Sequence, residues 1–227
     1  SLRQIKTAQE VEEIKKGLTI TISAFRFIKH YIIPGKKEIE VQAELERFIR
    51  YHGASNSAFE TIVASGPNSS FPHHKAGERK LRMSEPVLID FGVDYHGYKT
   101  DLTRVFFLGK ITPAFRKIYN IVTRAHGLAL RTIRPGVKIS SIDKAARQYI
   151  KQSGYGGFFS HNLGHGVGRE IHEEPHISEK EESLLKKGMV FTLEPAIYLP
   201  GKFGVRIEDM VLVREAGCEI LSANLEK

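Results

Sequence analysis

The sequence repeats itself, so a fold for this chain must be built twice and closed on itself. A shift of 101 positions lays Pro34-Gly35 on Pro135-Gly136, Val41 on Ile142, Phe48-Ile49 on Tyr149-Ile150 and Gly53 on Gly154. The match continues upstream, with Ala24 on Ala125 and Ile32 on Ile133. Each half reads as a long amphipathic helix (about 8–33 and 113–133), a Pro-Gly break, and a second helix (about 38–52 and 139–153) stopped by a glycine. Strand patterns follow. One runs from Pro86 to Gly92, turns at Tyr95-His96-Gly97 and returns from Lys99 to Leu108. The other runs from Met189 to Tyr198, turns at Pro200-Gly201 and returns from Gly204 to Val213. Both are expected to be antiparallel hairpins. Helices and hairpins in duplicate predict an α+β fold with pseudo-twofold symmetry, a curved sheet backed by helices. The repeat halves, about 8–110 and 111–221, are expected to form one domain spanning 1–227.

Composition narrows the function classes. Hydrophobic residues make up 41% and charged residues 26%, which suits a packed core and excludes disordered or low-complexity scaffolds. No apolar run is long enough to cross a bilayer, so no membrane partner is expected. Cys218 is the only cysteine, which rules out an internal disulfide and suits a reducing, cytoplasmic setting. The net charge of +8 raises the question of nucleic acid. However, the charges are dispersed: residues 1–60 hold 10 basic and 8 acidic groups, and residues 181–227 hold 6 and 8. With no basic block and no recognition motif, no nucleic-acid partner is expected.

The chemistry begins with carboxylates inside the strand patterns. Asp90 interrupts Val87-Leu88-Ile89 and Phe91, and Glu194 interrupts Val190-Phe191-Thr192-Leu193 and Pro195. A buried ionised carboxylate is costly unless it is paired or binds metal. Regular hairpins would set Asp90 opposite Asp101 and Glu194 opposite Glu208, on shared faces. Four such acids brought together need cations, and two divalent ions would balance them. The competing reading pairs each acid with an arginine such as Arg104 or Arg206.

Nitrogen ligands are at hand in the glycine-rich segment 160–175, where His161, His165 and His172 are spaced by four and seven. Glycine lets backbone approach a site closely. A set of carboxylates with one imidazole favours hard to borderline ions, with Mn²⁺ first and Co²⁺, Fe²⁺ or Zn²⁺ also suitable. Two ions about 3.5–4 Å apart would lower the pKa of a shared water, which makes hydrolysis the natural reaction class.

These motifs resemble the pita-bread metallopeptidases, the family of aminopeptidase P, prolidase (Xaa-Pro dipeptidase) and methionine aminopeptidase. The resemblance runs from about Ile5 to Leu221. It is carried by Leu88-Ile89-Asp90-Phe91-Gly92, Thr100-Asp101-Leu102-Thr103-Arg104, Gly164-His165-Gly166-Val167-Gly168, Ile171-His172-Glu173-Glu174-Pro175, Thr192-Leu193-Glu194-Pro195 and Val205-Arg206-Ile207-Glu208-Asp209. It implies a pita-bread fold and a dinuclear metal site held by Asp90, Asp101, His165, Glu194 and Glu208.

Within the family, Phe71-Pro72-His73, the placement of His161 four residues before His165, and the short link between the two glutamates resemble the Xaa-Pro branch. The implied reaction is hydrolysis of the bond between an N-terminal residue and proline, on short peptides with proline second. Glu194 is implied as proton shuttle, and His161 and His172 as ligands of substrate and oxyanion. His73 is favoured over His74 as a substrate-binding histidine. Tyr198 falls near the metals and substrate, and Arg206 is implied as the group that orients the carboxylates. The resemblance covers only the C-terminal catalytic half of aminopeptidase P and prolidase, so the usual N-terminal creatinase-like domain is expected to be missing, which leaves oligomeric state open, a homodimer included.

His30, His52 and His126 read as surface or packing residues on helices, and His96 as a turn residue. His176 has a minor claim to line the cleft. The run 179–182 reads as a solvated loop. The alternatives are a methionine aminopeptidase using the same five ligands, a creatinase-like hydrolase of non-peptide substrates, and a non-catalytic peptide-binding module that retains the fold.

Overall fold

A computed structural model describes residues 3–226. Four helices carry the repeat: α1 (Ala8–Ile28), α2 (Glu38–Tyr51), α3 (Pro113–Thr132) and α4 (Ile139–Gln152). Local chemistry sets their starts. The Thr7 hydroxyl accepts from Glu10 N while the Glu10 side chain returns to Thr7 N, a reciprocal cap. Thr112 caps α3, with Pro113 in its first turn. In α1, Ile14, Leu18, Phe25 and Ile28 recur at helical spacing and face the core.

Helix α1 stops at Ile28, short of the expected 33. Two β-branched residues, Ile32 and Ile33, precede Pro34 there, and a residue before proline is driven out of the helical region. The breaks are duplicated in conformation as well as in sequence. Gly35 and Gly136 have φ of 93° and 82°, and the helix-stopping Gly53 and Gly154 have 97° and 88°. These left-handed values suit glycine.

Among the described residues thirteen strands complete the fold. The first half contributes β1 (Asn56–Ser57), β2 (Ile62–Ser65), β3 (Pro86–Phe91), β4 (Val93–Tyr95), β5 (Tyr98–Lys99) and β6 (Leu102–Phe107). The second contributes β7 (Gly164–Gly166), β8 (Glu173–Ile177), β9 (Val190–Leu193), β10 (Ala196–Leu199), β11 (Phe203–Arg206), β12 (Asp209–Val213) and β13 (Cys218–Ile220). The order β2-β3-β6 in one half is mirrored by β7-β9-β12 in the other, and the hairpin β4-β5 by β10-β11. Two large buried clusters form the core, one around Phe25 and Phe91, which also takes in Val167, Val190, Met210 and Leu212 of the second half, and the other around Phe115 and Phe191. Among the described residues no helix is long and apolar enough to cross a membrane.

The second hairpin has the expected register. Ala196 pairs with Arg206 and Leu193 with Asp209, so Glu194 and Glu208 face each other across the gap between those pairs. The first hairpin is offset by two. Asp90 pairs with Thr103, not Asp101. The cause is the turn: His96 and Gly97, with φ of 51° and 80°, form a two-residue loop between paired Tyr95 and Tyr98. Because side chains alternate with period two, Asp101 stays on the face of Asp90 as a diagonal neighbour.

Candidate metal centre

Both hairpins lose their ladder beside the acids. Gly92 and residues 100–101 separate β3/β6 from β4/β5, and residues 194–195 and 207–208 separate β9/β12 from β10/β11. Backbone crosses closely at these breaks. A Cβ on Gly92 would lie 1.6 Å from Thr100 O, and one on Gly164 would lie 1.9 Å from Thr192 O. These two glycines therefore let neighbouring strands approach and bring their side chains to one point.

The acids meet in a cavity of about 400 Å³ that all five expected ligands line, together with His73, His74, His161, His172 and Arg206. Ligating atoms of Asp101, His165 and Glu208 lie within 4.8 Å of one another. His165 Nε2 stands 3.5 Å from Asp101 Oδ2 and 3.5 Å from Glu194 Oε1. Asp90 faces the guanidinium of Arg206, with Nη2 2.5 Å from Oδ2. The arginine-pairing alternative therefore describes Asp90. It does not describe the others, because Arg104 turns away to Asp209 at 2.7 Å.

Burial and mutual repulsion govern the charges. Burial, then Glu208 and Asp90, hold the Asp101 carboxyl well above the usual range. Burial, then Glu194 and Asp90, do the same to Glu208. Glu194 is pushed up to about 8, chiefly by burial. The imidazoles move the other way: burial holds His165 and His161 down to about 4. Asp101, Glu194 and Glu208 are therefore biased toward their protonated forms, and His161 and His165 toward the neutral imidazole, unless cations enter. Buried Asp90 Oδ1 and Asp101 Oδ1 have no hydrogen-bond partner among the described residues. Lone pairs stranded inside a carboxylate and imidazole cluster fit divalent cations of the hard to borderline class.

A hydrogen-bonded frame holds this cluster. Arg206 Nε donates to Thr103 Oγ1 at 3.0 Å, and that hydroxyl donates to Glu208 Oε2 at 2.6 Å. Arg206 Nη1 donates to the Tyr198 hydroxyl at 2.5 Å, which in turn lies 3.1 Å from His161 Nε2. His161 Nδ1 lies 2.7 Å from Asn162 O, so both ring nitrogens are engaged, and donation to a substrate requires exchanging one of these bonds. Tyr198 is buried behind His161 and is not part of the cavity wall, in contrast to the substrate contact expected from the sequence. His172 is exposed at the rim, with its ring 4.4 Å from that of His165.

His73 and His74 both reach the cavity, but His74 Nε2 is bound to the fully buried Glu38 at 2.8 Å. Glu38 also accepts from Ser65 N, Ser65 Oγ and Asn68, and so organises the loop that carries both histidines. Its position in the first turn of an amphipathic helix gave no sign of this role. The sequence reading also missed Phe59 and Ile62 in the cavity wall, and the Glu60–Lys75 pair at its mouth, 3.4 Å apart. His176 stays outside the cavity, exposed beside Glu174. His126 is a packing residue, fully buried against Asp209 at 3.3 Å.

The sequence matches the profile of metallopeptidase family M24 over residues 12–215. It is 44% identical over 221 residues to an Xaa-Pro dipeptidase of Pyrococcus furiosus, covering 97% of this chain and 64% of that protein. The fold superposes on the solved prolidase from Pyrococcus furiosus with a TM-score of 0.97 at 43% identity, covering 100% of this chain and 67% of the other. It superposes on an X-Pro aminopeptidase from Thermotoga maritima with a TM-score of 0.96 at 43% identity, covering 98% and 63%. The pita-bread fold, the clustered acids and a family match across nine-tenths of its length agree: this chain belongs to metallopeptidase family M24.

Proposed function

We propose that the chain is the catalytic portion of a peptidase that hydrolyses the bond between an N-terminal residue and proline. The observation that carries this reading is the convergence of Asp90, Asp101, His165, Glu194 and Glu208 in one cavity, with buried carboxylate oxygens left unsatisfied. Those five residues would hold two divalent ions, Mn²⁺ first by ligand chemistry. The bound ions would supply Lewis acidity and a water of lowered pKa.

The remaining work falls to the protein. Glu194 would carry a proton on its carboxylate and deliver it to the leaving nitrogen. Neutral His172 at the rim would donate to the substrate carbonyl, and neutral His161 would join it by releasing Asn162 or Tyr198. His73 would hold the peptide at the mouth, and Tyr198 would set the orientation of His161. Arg206 fixes Asp90 directly and Glu208 through Thr103. Proline suits such a site because its ring has fixed shape and its amide lacks an N–H. Relatives named as Xaa-Pro dipeptidases support this choice over methionine aminopeptidase.

The test is activity of the metal-stripped chain with and without Mn²⁺ or Co²⁺, on an Xaa-Pro dipeptide, an Xaa-Pro-Yaa tripeptide and a Met-Ala-Ser peptide, with bound metal counted in parallel. Metal-dependent cleavage of the proline peptides alone is expected. Cleavage of the Met peptide would move the chain to the other branch. Absence of bound metal would favour a peptide-binding module.

A further inference from the structure

A buried ion pair outside the metal cluster ties the segment before α1 to the loop that carries His172. Lys6 and Glu173, 167 positions apart, meet with side chains only 2% and 9% exposed. Lys6 Nζ donates to Glu173 Oε1 and, at 2.6 Å, to Arg3 O. The segment is anchored by its backbone as well: Lys6 N donates to Gly188 O at 2.8 Å, and Ile5 bridges to Met189 beside it. On the other side, Glu173 Oε2 accepts from Glu170 N at 3.4 Å, which closes the loop over 170–173.

Glu173 is the first residue of β8 and His172 the bend residue just before it, so the buried anchor on Lys6 lies one peptide unit from the exposed imidazole at the cavity rim. The glycine-rich motif makes room for it. A Cβ on Gly168 would stand 2.5 Å from Glu173 Oε1 and 2.9 Å from Lys6 Nζ. A buried pair of this kind adds little net stability, because desolvation offsets the attraction, so its effect is felt in geometry.

We propose that Lys6 is a positioning residue: acting through Glu173, it fixes where the imidazole of His172 stands over the cavity. The kinetic part of this inference rests on the reading of His172 as a substrate ligand. The structural part does not.

Two measurements on the full chain test it. The first is histidine side-chain NMR of the metal-free protein, with the His172 resonances assigned by their loss in His172→Ala. Lys6→Met should shift or broaden the His172 ring signals and leave those of His161 in place. An unmoved His172 signal overturns the proposal. The second is steady-state kinetics of the Mn²⁺-loaded chain on an Xaa-Pro dipeptide. Lys6→Met should lower kcat about ten- to hundredfold with metal content unchanged. Added to His172→Ala, it should change kcat less than about twofold. Equal losses in both backgrounds would reveal general damage and overturn the positioning role. If Lys6→Met does not fold, Glu173→Gln, which keeps shape and loses charge, carries the same two measurements. If the parent chain cleaves no proline peptide, the peptidase reading fails and the NMR result alone decides whether Lys6 places His172.

Discussion

Arg206 and Asp90 come from opposite halves of the repeat and meet with Nη2 2.5 Å from Oδ2. Through this contact the second half supplies the cation nearest the acids of the first. The same guanidinium reaches Tyr198 and Thr103, so one side chain sets the direction of a carboxylate, a phenol and a hydroxyl.

Replacing that arginine therefore removes a charge and a frame together. Arg206→Met should destabilise the metal-free chain by about 3–5 kcal/mol, the usual cost of breaking a buried pair from one side. Bound Mn²⁺ should reduce the loss, because it supplies positive charge among the same acids. Urea denaturation with and without metal measures this, and equal losses in both states would contradict it.

Two of the three histidines of the glycine-rich segment should separate by function. His165→Ala is expected to lose activity and one metal equivalent together, since His165 Nε2 lies 3.5 Å from both Asp101 and Glu194. His161→Ala should lose activity and keep both ions. Metal analysis of the two purified variants decides the matter, and loss of metal from His161→Ala would place that ring among the ligands.

The metal-free chain should become less stable as pH rises from about 6.5 to 8. Glu194, raised from its ordinary 4.5 to about 8, makes the folded state bind more protons than the unfolded state over that range, so stability falls with pH. His161 and His165, lowered from 6.5 to about 4, act oppositely: they favour folding as pH rises, but only below 6.5. With metal bound, the acids are ionised in the folded state and the decline should vanish. Denaturation at pH 6.5 and 8, with and without Mn²⁺, tests the sign. Calorimetry at pH 7 should show proton release on metal binding.

The strand crossing beside Asp90 should tolerate no side chain at position 92. Gly92→Ala puts a Cβ 1.6 Å from a main-chain oxygen, which only movement of the strand can relieve. A loss of about 3 kcal/mol or more is expected from urea denaturation. A near-neutral variant would show that the two strands can separate without cost.

The duplicated architecture was legible from local signals. Pro-Gly breaks, helix-stopping glycines and periods of 3.6 and 2 depend on near neighbours, and they located all four helices and both hairpins. Carboxylates inside apolar runs were equally visible, because their cost of burial is a property of residue type. Register was only half legible. Glu194 and Glu208 lie opposite as expected, whereas the left-handed pair His96-Gly97 tightened the first turn and moved Asp90 onto Thr103.

The sequence by itself determined the repeat, the helices and the kinds of group available to the site. Only the tertiary structure decided which groups meet. Arg206 goes to Asp90 and Arg104 to Asp209, His74 is taken by Glu38 and His73 is left at the rim, and Lys6 reaches Glu173. Most of these partners lie more than a hundred positions apart. No local pattern encodes such pairings, because they arise when two independently patterned halves bury their apolar faces and force each interior polar group to find a partner.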